Sequence, residues 1–448
     1  MFPDQRVEHT KYGVTIRRTL VISPAQAQKI PRNRAARDAH DPYLALRSRD
    51  FRLLLIGRFI ATLGEQMVNI AIGWELYERT HSALSLGLVG LVQIIPIFAL
   101  SLPAGHVADQ RNRKHIILCM LGLLTTCALG LALLSATHGA LPLIYLCLFG
   151  IGITHTFYDP AISALISGVV PKRSFANAAT WSSSVWQLAS VAGPALGGLI
   201  IGIFRSATLV YVLETVACLL VFVLFFQIRY QRSAAFPVRV TKKKATLATL
   251  VEGVDFVLRT KIILAAITLD LFAVLLGGAT TLLPIYAKDI LHVGPVGLGW
   301  LRAMPSIGAV LMAVTLAHLP PMRRAGRTLL LSVGGFGLTT IIFGLSRSFP
   351  LSLAMLFLLG SLDNISVVIR ATLMLLRTPD AMRGRVSAVN SVFVGASNEL
   401  GGFESGATAA AFGPILSVVG GGIGTLLVVL LVAYAWPEMR RLTTLSGT

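Results

Sequence analysis

The feature that most constrains this chain is a series of apolar runs, each about as long as a bilayer is thick. Twelve recur, over residues 51–78, 83–108, 115–137, 141–169, 175–203, 207–228, 262–289, 297–318, 328–346, 349–376, 385–412 and 414–436. At 1.5 Å of rise per residue, about 20 apolar residues in a helix cross the ~30 Å of hydrocarbon. Backbone groups in lipid must satisfy one another, which leaves only helices or closed barrels as spanning structures. Barrel strands would read as ~10-residue segments of alternating hydropathy, whereas these runs are continuous. Only 13% of the residues are charged and 54% are hydrophobic, while a soluble domain is about a quarter charged. The expected fold is an all-α polytopic membrane protein with twelve transmembrane helices in two six-helix bundles.

The formal net charge of +19 raises the possibility of nucleic acid as a partner, but the positions of the basic residues argue otherwise. Ten of the 39 Lys and Arg precede the first span, and eight lie between 229 and 261. The connections on the opposite side keep only Arg79, Arg205, Lys288 and Arg347. Such an alternating excess is the positive-inside signature, which places both termini in the cytoplasm and makes the lipid bilayer the partner. No nucleic-acid role is expected. Cys119, Cys127, Cys147 and Cys218 all fall inside apolar runs without metal-ligand spacing, so they are expected to pack rather than bridge. Residues 1–48 lack the uninterrupted apolar core of a signal peptide, so the first span is expected to direct insertion.

The longest polar interruption divides the spans six and six. The expected organisation is a cytoplasmic, disordered tail (1–48), a first bundle (49–228), a cytoplasmic linker (229–261), a second bundle (262–437) and a cytoplasmic C-terminal tail (438–448). Within the linker, residues 246–258 have amphipathic spacing, consistent with a short helix on the inner surface. The halves echo one another: Pro171, Gly193 and Gly198 have counterparts in Pro379, Gly401 and Gly406, each 208 residues later. Two parallel repeats would place a binding site between them near mid-depth.

Ionisable groups in hydrocarbon cost roughly 2.5–3.5 kcal/mol each on insertion scales, so those present tend to face a cavity or a partner. Span 1 carries Arg58, Thr62, Glu65 and Asn69 on one helical face, where Arg58 and Glu65 either pair or line a water-filled path. Span 4 sets His155 one turn from Asp159, either a packed pair or a proton-exchanging one. Span 5 lays Thr180, Ser183, Ser184 and Gln187 along one face, as interhelical glue or substrate contacts. In the second half Asp270 lies early in span 7 and Arg302 early in span 8. Asp363 and Arg370 share a face of span 10, where an ion pair is the plain alternative. Span 11 aligns Asn390, Ser397, Glu404 and Thr408, with Glu399 on a different side. A proton-binding carboxylate is expected among these groups. No HExxH, clustered nucleophile–base set or phosphate-cradling GxxxxGK occurs, so neither an enzyme nor a built-in ATP motor is expected, and no metal or cofactor.

Two motifs carry a family resemblance. Gly105-His-Val-Ala-Asp109-Gln-Arg-Asn-Arg113-Lys114 resembles the loop signature between helices 2 and 3 of the major facilitator superfamily, with Gln110 at a usually basic position. Gly193-Pro194-Ala-Leu-Gly197-Gly198 is similar to the helix 5 motif of its antiporting, exporting branch, with Ala189 where a further glycine is usual. The arginine common within helix 4 of proton-coupled drug exporters has no counterpart in FGIGITHTFYDP. The stretches IGWELYERTHSALSLGLVG, LPIYAKDILHVGPVGLGWL, RGRVSAVN and NELGGFESG resemble the subgroup that contains the enterobactin exporter and related siderophore and multidrug exporters.

The resemblance implies a secondary exporter in the bacterial inner membrane. It would move small amphipathic molecules by alternating access, with a proton gradient as the energy source and no obligate protein partner. A lipid or lysophospholipid flippase on the same fold, or a non-transporting receptor or scaffold, is the alternative. It also implies that Asp109, with Gly105, Arg113 and Lys114, latches onto the N-terminal end of helix 11 near Arg385. The plainer reading is a solvated turn in which Asp109 caps the next helix.

Overall fold

The computed structural model describes residues 9–10, 13–14, 43–171, 174–228, 247–320, 324–379 and 382–442. Nearly all of the expected N-terminal tail, most of the linker and residues 443–448 lie outside the described residues. Two two-residue strands, His9–Thr10 and Gly13–Val14, pair antiparallel; the rest of the described regular structure is helical.

Twelve long helices follow the twelve apolar runs. They are α1 (Arg49–Thr80), α2 (Ala83–Gln110), α3 (Arg113–Ala136), α4 (Leu141–Val169), α5 (Phe175–Phe204), α6 (Thr208–Phe226), α7 (Lys261–Leu276), α8 (Gly294–His318), α9 (Ala325–Leu345), α10 (Phe349–Arg377), α11 (Arg383–Phe412) and α12 (Pro414–Ala435). Among the described residues, eleven spans are long and apolar enough to cross a membrane. The one left out is α11, which at 30 residues is about 45 Å long but carries Arg383, Arg385, Asn390, Asn398, Glu399 and Glu404. Its polar face is tolerated because α2 and α7 pack against it and it borders a cavity. On the outer surface, side chains such as Leu331, Leu430 and Leu431 are exposed, as a lipid-facing surface requires.

The packing repeats. Helix α1 packs on α5 and α6, α2 on α4, and α3 on α4 and α6; six helices later, α7 packs on α11 and α12, α8 on α10, and α9 on α10 and α12. The bundles meet through a matching pair of crossings, α5 with α8 and α11 with α2. The repeat-related glycines make repeat-related contacts. A Cβ on Gly198 would come within 2.9 Å of Gly299 Cα on α8, and one on Gly406 within 2.5 Å of Gly87 Cα on α2. Likewise Gly193 abuts Leu63 and Gln66 of α1, and Gly401 abuts Val274 and Leu275 of α7. Side-chain-free residues are what let backbones approach so closely.

These crossings lie toward the end where α1 stops at Thr80, opposite its start at Arg49, and there the bundles lean together.

Two local departures from regular helix matter. Helix α7 breaks at Gly277–Gly278, and the span continues as a 3-10 turn (Ala279–Leu282), a helical turn (Leu283–Ile285) and a π turn (Tyr286–Ile290). Pro284 has no N–H to give Thr280, and the freed Thr280 carbonyl accepts from Arg302 Nη1 at 3.2 Å. At the start of α3 the capping residue is Asn112, whose Oδ1 accepts from Lys114 N at 3.1 Å, rather than Asp109.

The amphipathic linker segment forms a helix, Leu247–Arg259, packed against α11 and α7 rather than lying free. Val257 is buried with Ile263, Ile267, Val386 and Val389, and Gly253 lies against the Arg385 carbonyl.

Candidate functional site

A cavity of about 570 Å³ sits between the bundles. Its polar lining comes from both halves: Arg58, Thr62, Glu65 and Asn69 of α1, His155 and Asp159 of α4, Arg302 of α8, and Asn398 and Glu399 of α11. The spacing of the α1 residues, with Thr62, Glu65 and Asn69 about one, two and three turns beyond Arg58, brings all four onto the cavity. The open Arg58–Glu65 question resolves against a pair: Glu65 Oε1 instead faces His155 Nε2 at 3.8 Å. The two groups, both partly solvated, are an ion pair when His155 carries a proton and stand slightly beyond hydrogen-bond distance, so a proton passes between them by way of water or a small rotation. Arg302, oriented by the Thr280 carbonyl, supplies a cation from the opposite bundle.

On α5 it is Trp186, 46% exposed, that lines the cavity. Ser184 is exposed and Gln187 half-buried, and neither lies on the lining. Ser182 and Ser183 border a second cavity of about 580 Å³, which shares Arg58 and Trp186 with the first.

The second-half carboxylates separate into different environments. Asp270 forms an ion pair with Arg370 across α7 and α10, with both side chains 7% exposed. Asp363, half-buried on α10, lies apart from the central lining as well. Glu404, aligned with the polar face of α11 on spacing, instead accepts from Ser405 Oγ at 3.4 Å and is not on the lining; Glu399 is. The face of α11 that carries Glu404 and Thr408 turns toward α12, where Thr408 Oγ1 bonds Ser417 Oγ at 2.7 Å, while Asn398, Glu399 and Gly402 face the cavity beside Thr280 and Thr281. Sequence reasoning also passed over Glu214 of α6, a single carboxylate in a 19-residue apolar helix, which borders the cavity. Its isolation in that run was the available signal.

The helix 5 motif is wedged between α1 and α8. Gly193 and Gly197 meet α1 at Gln66 and Met67, while Gly198 meets Pro295 and Gly299; Pro194 is buried between them. The basic residues of the expected latch make contacts of their own. Arg113 donates to Ala164 O of α4 at 3.0 Å, and Lys114 Nζ donates to Phe226 O at the end of α6 and to Ile228 O just beyond it, at 2.7 and 2.9 Å. Arg385 pairs with Glu252 of the linker helix. The Asp109 side chain lies outside the described atoms, and Gly105 faces open space.

Two repeat-related helical bundles enclosing a polar cavity, closed at one end, define a membrane transporter. The chain belongs to the Major Facilitator Superfamily, whose family model matches residues 54–402. It is 25% identical over 404 residues to the enterobactin exporter EntS of Shigella boydii serotype 18, covering 87% of this chain and 92% of that protein. The same figures hold for EntS of Escherichia coli O1:K1 / APEC. Among solved structures, a POT family transporter in complex with 5-aminolevulinic acid superposes with a TM-score of 0.68 at 13% identity, covering 88% of this chain and 97% of that one. A bacterial homolog of the human lysosomal transporter Spinster, inward-facing and occupied, gives 0.67 at 13% identity over 87% of this chain and 97% of that one. These structural likenesses speak to the fold.

Proposed function

We propose that the chain is an alternating-access exporter of small amphipathic molecules, driven by proton antiport and resident in the bacterial cytoplasmic membrane with both termini in the cytoplasm. The observation that carries this reading is the Glu65–His155 pair facing a cavity lined from both bundles. Proton antiport needs a group that exchanges protons where substrate binds, and a carboxylate beside an imidazole is such a group. The cavity also offers an exposed indole at Trp186 for apolar rings and cations at Arg58 and Arg302 for acidic substituents, which suits amphipathic substrates of the siderophore or drug type. The likeness to EntS supports the exporting direction. On this topology the closed end, held by the Gly198 and Gly406 crossings, faces away from the cytoplasm.

In the opposite state, Asp109, Arg113 and the N-terminal end of α11 close the cytoplasmic side; a carboxylate at a helix N-terminus is stabilised by the helix dipole. The energy source is the proton gradient, and no protein partner is needed.

The test is export from intact cells. Cells expressing the chain are loaded with a panel of catecholate siderophores, amphipathic dyes and labelled phospholipid, and the compound retained is measured. Wild type should lower retention of at least one soluble compound several-fold, and Glu65→Gln should abolish that difference. Movement of phospholipid alone would favour the flippase, and no difference across the panel would refute export.

A further inference from the structure

Glu214 is a buried acid that the proposed cycle leaves without a role. It sits about two turns into α6, is 4% exposed and borders the central cavity. Its Oε1 accepts from Cys218 Sγ at 3.2 Å, one turn along the same helix. Its Oε2 is buried with no hydrogen-bond partner and no cation paired to it among the described residues. A carboxylate stripped of water and counter-ion is among the costliest groups a protein can bury, so its retention calls for a purpose or a proton.

The neighbouring helix is shaped around it. A Cβ at Gly64 of α1 would lie 1.7 Å from Glu214 Oε2 and 2.9 Å from its Cδ, so a larger residue there would push the carboxyl out of its present position. The next residue on α1 is Glu65, which lines the same cavity. Glu65 in turn faces His155, and Asp159, Tyr158 and Arg58 border the same cavity. An acid with one open oxygen, in a glycine notch beside a solvated acid–imidazole pair, has the geometry of a buried proton store.

We propose that Glu214 is a proton-binding site of the transport cycle, exchanging its proton with the cavity by way of Glu65 and His155. Proton arrival breaks no covalent bond: Oε2 gains a proton and the carboxylate becomes a neutral acid, and departure reverses this. The Glu214 carboxyl lies against Gly64, the residue beside Glu65, so the two acids occupy adjoining positions on one path. The consequence is a chain with an inner site on α6 and an outer site on α1. This rests on the proton-antiport reading above for its role in transport, though not for the titration itself.

Two measurements on purified protein test it. Infrared difference spectroscopy across a pH titration should show a protonated-carboxyl C=O band that disappears at high pH and is missing in Glu214→Gln. In proteoliposomes, Glu214→Gln should keep substrate counterflow within about twofold while pH-gradient-driven accumulation falls at least tenfold. Gly64→Ala, which leaves the acid in the chain but fills its notch, should reproduce that split. An unchanged band in Glu214→Gln, retained gradient-driven accumulation, or loss of counterflow together with accumulation would each overturn the assignment. If wild type accumulates nothing, antiport fails, and the band alone decides whether Glu214 binds the proton.

Discussion

Tyr77 of α1 donates its phenolic proton to Asp289 in the π turn that ends the seventh span, tying the two bundles together at the closed end. Lys288 beside it reaches Glu78 at 3.9 Å and lies 5.9 Å from the rings of both Trp74 and Tyr77. Every one of these contacts joins α1 to the seventh span. They must part for the cavity to open on that side, so their strength biases the conformational equilibrium. Hydrogen bonds to charged groups are worth about 1.5–3 kcal/mol, and about 1.4 kcal/mol is tenfold in a population. Tyr77→Phe should therefore raise the state open at this end by roughly tenfold or more. Pulsed spin-label distances between the α1–α2 and α8-preceding turns would read it, and an unchanged distribution would contradict it.

The glycine crossings make a sharper steric prediction. A Cβ on Gly198 would fall 2.4 Å from Pro295 O, a backbone atom that cannot swing away. Gly198→Ala should push α5 from α8, raising thiol-reagent access to a cysteine placed at the closed end and lowering transport. Gly105→Ala, in open space, should leave that access unchanged. Equal behaviour of the two variants would contradict the packing described.

The Asp270–Arg370 pair predicts a non-additive stability effect. Removing one partner of a buried pair leaves an uncompensated charge, at roughly 3–5 kcal/mol. Arg370→Gln should lower the melting temperature in detergent markedly, and Asp270→Asn in the same protein should restore much of the loss. Failure of the double variant to recover would mean that Arg370 stabilises through other contacts.

The linker helix offers a weaker lever. Glu252 and Arg385 are 45% and 29% exposed, and a pair so solvated is worth ~0.2–1 kcal/mol. Glu252→Gln should free Arg385 and increase proteolysis within Leu247–Arg259 about two- to fivefold, with little change in melting temperature. No change in cleavage would show that the apolar contacts at Val257 hold the helix alone.

Helix number, order and repeat were legible because they follow from local hydropathy and from glycine positions. The 208-residue offset between Gly193–Gly198 and Gly401–Gly406 reappears as equivalent contacts on α1 and α7, and on α8 and α2. The cavity was half legible. Residues such as Arg58, Glu65 and Asn69 share a face of one straight helix, which sequence spacing describes. On α11 spacing misled, because it groups residues on a face without saying which neighbour that face meets; the Glu404–Thr408 side meets Ser417 of α12, and Glu399 lines the cavity. Pairings between distant elements, such as Asp270 with Arg370 or Arg385 with Glu252, depend on three-dimensional closure that no local pattern encodes.

The central claim, proton-driven export through this cavity, is tested most directly with purified protein in proteoliposomes under an imposed pH gradient. Substrate found in the cell-export screen should accumulate against its own gradient, collapse on adding a protonophore, and lose gradient drive but not counterflow in Glu65→Gln. Accumulation indifferent to the protonophore, or a Glu65→Gln protein as strongly driven as wild type, would contradict the account.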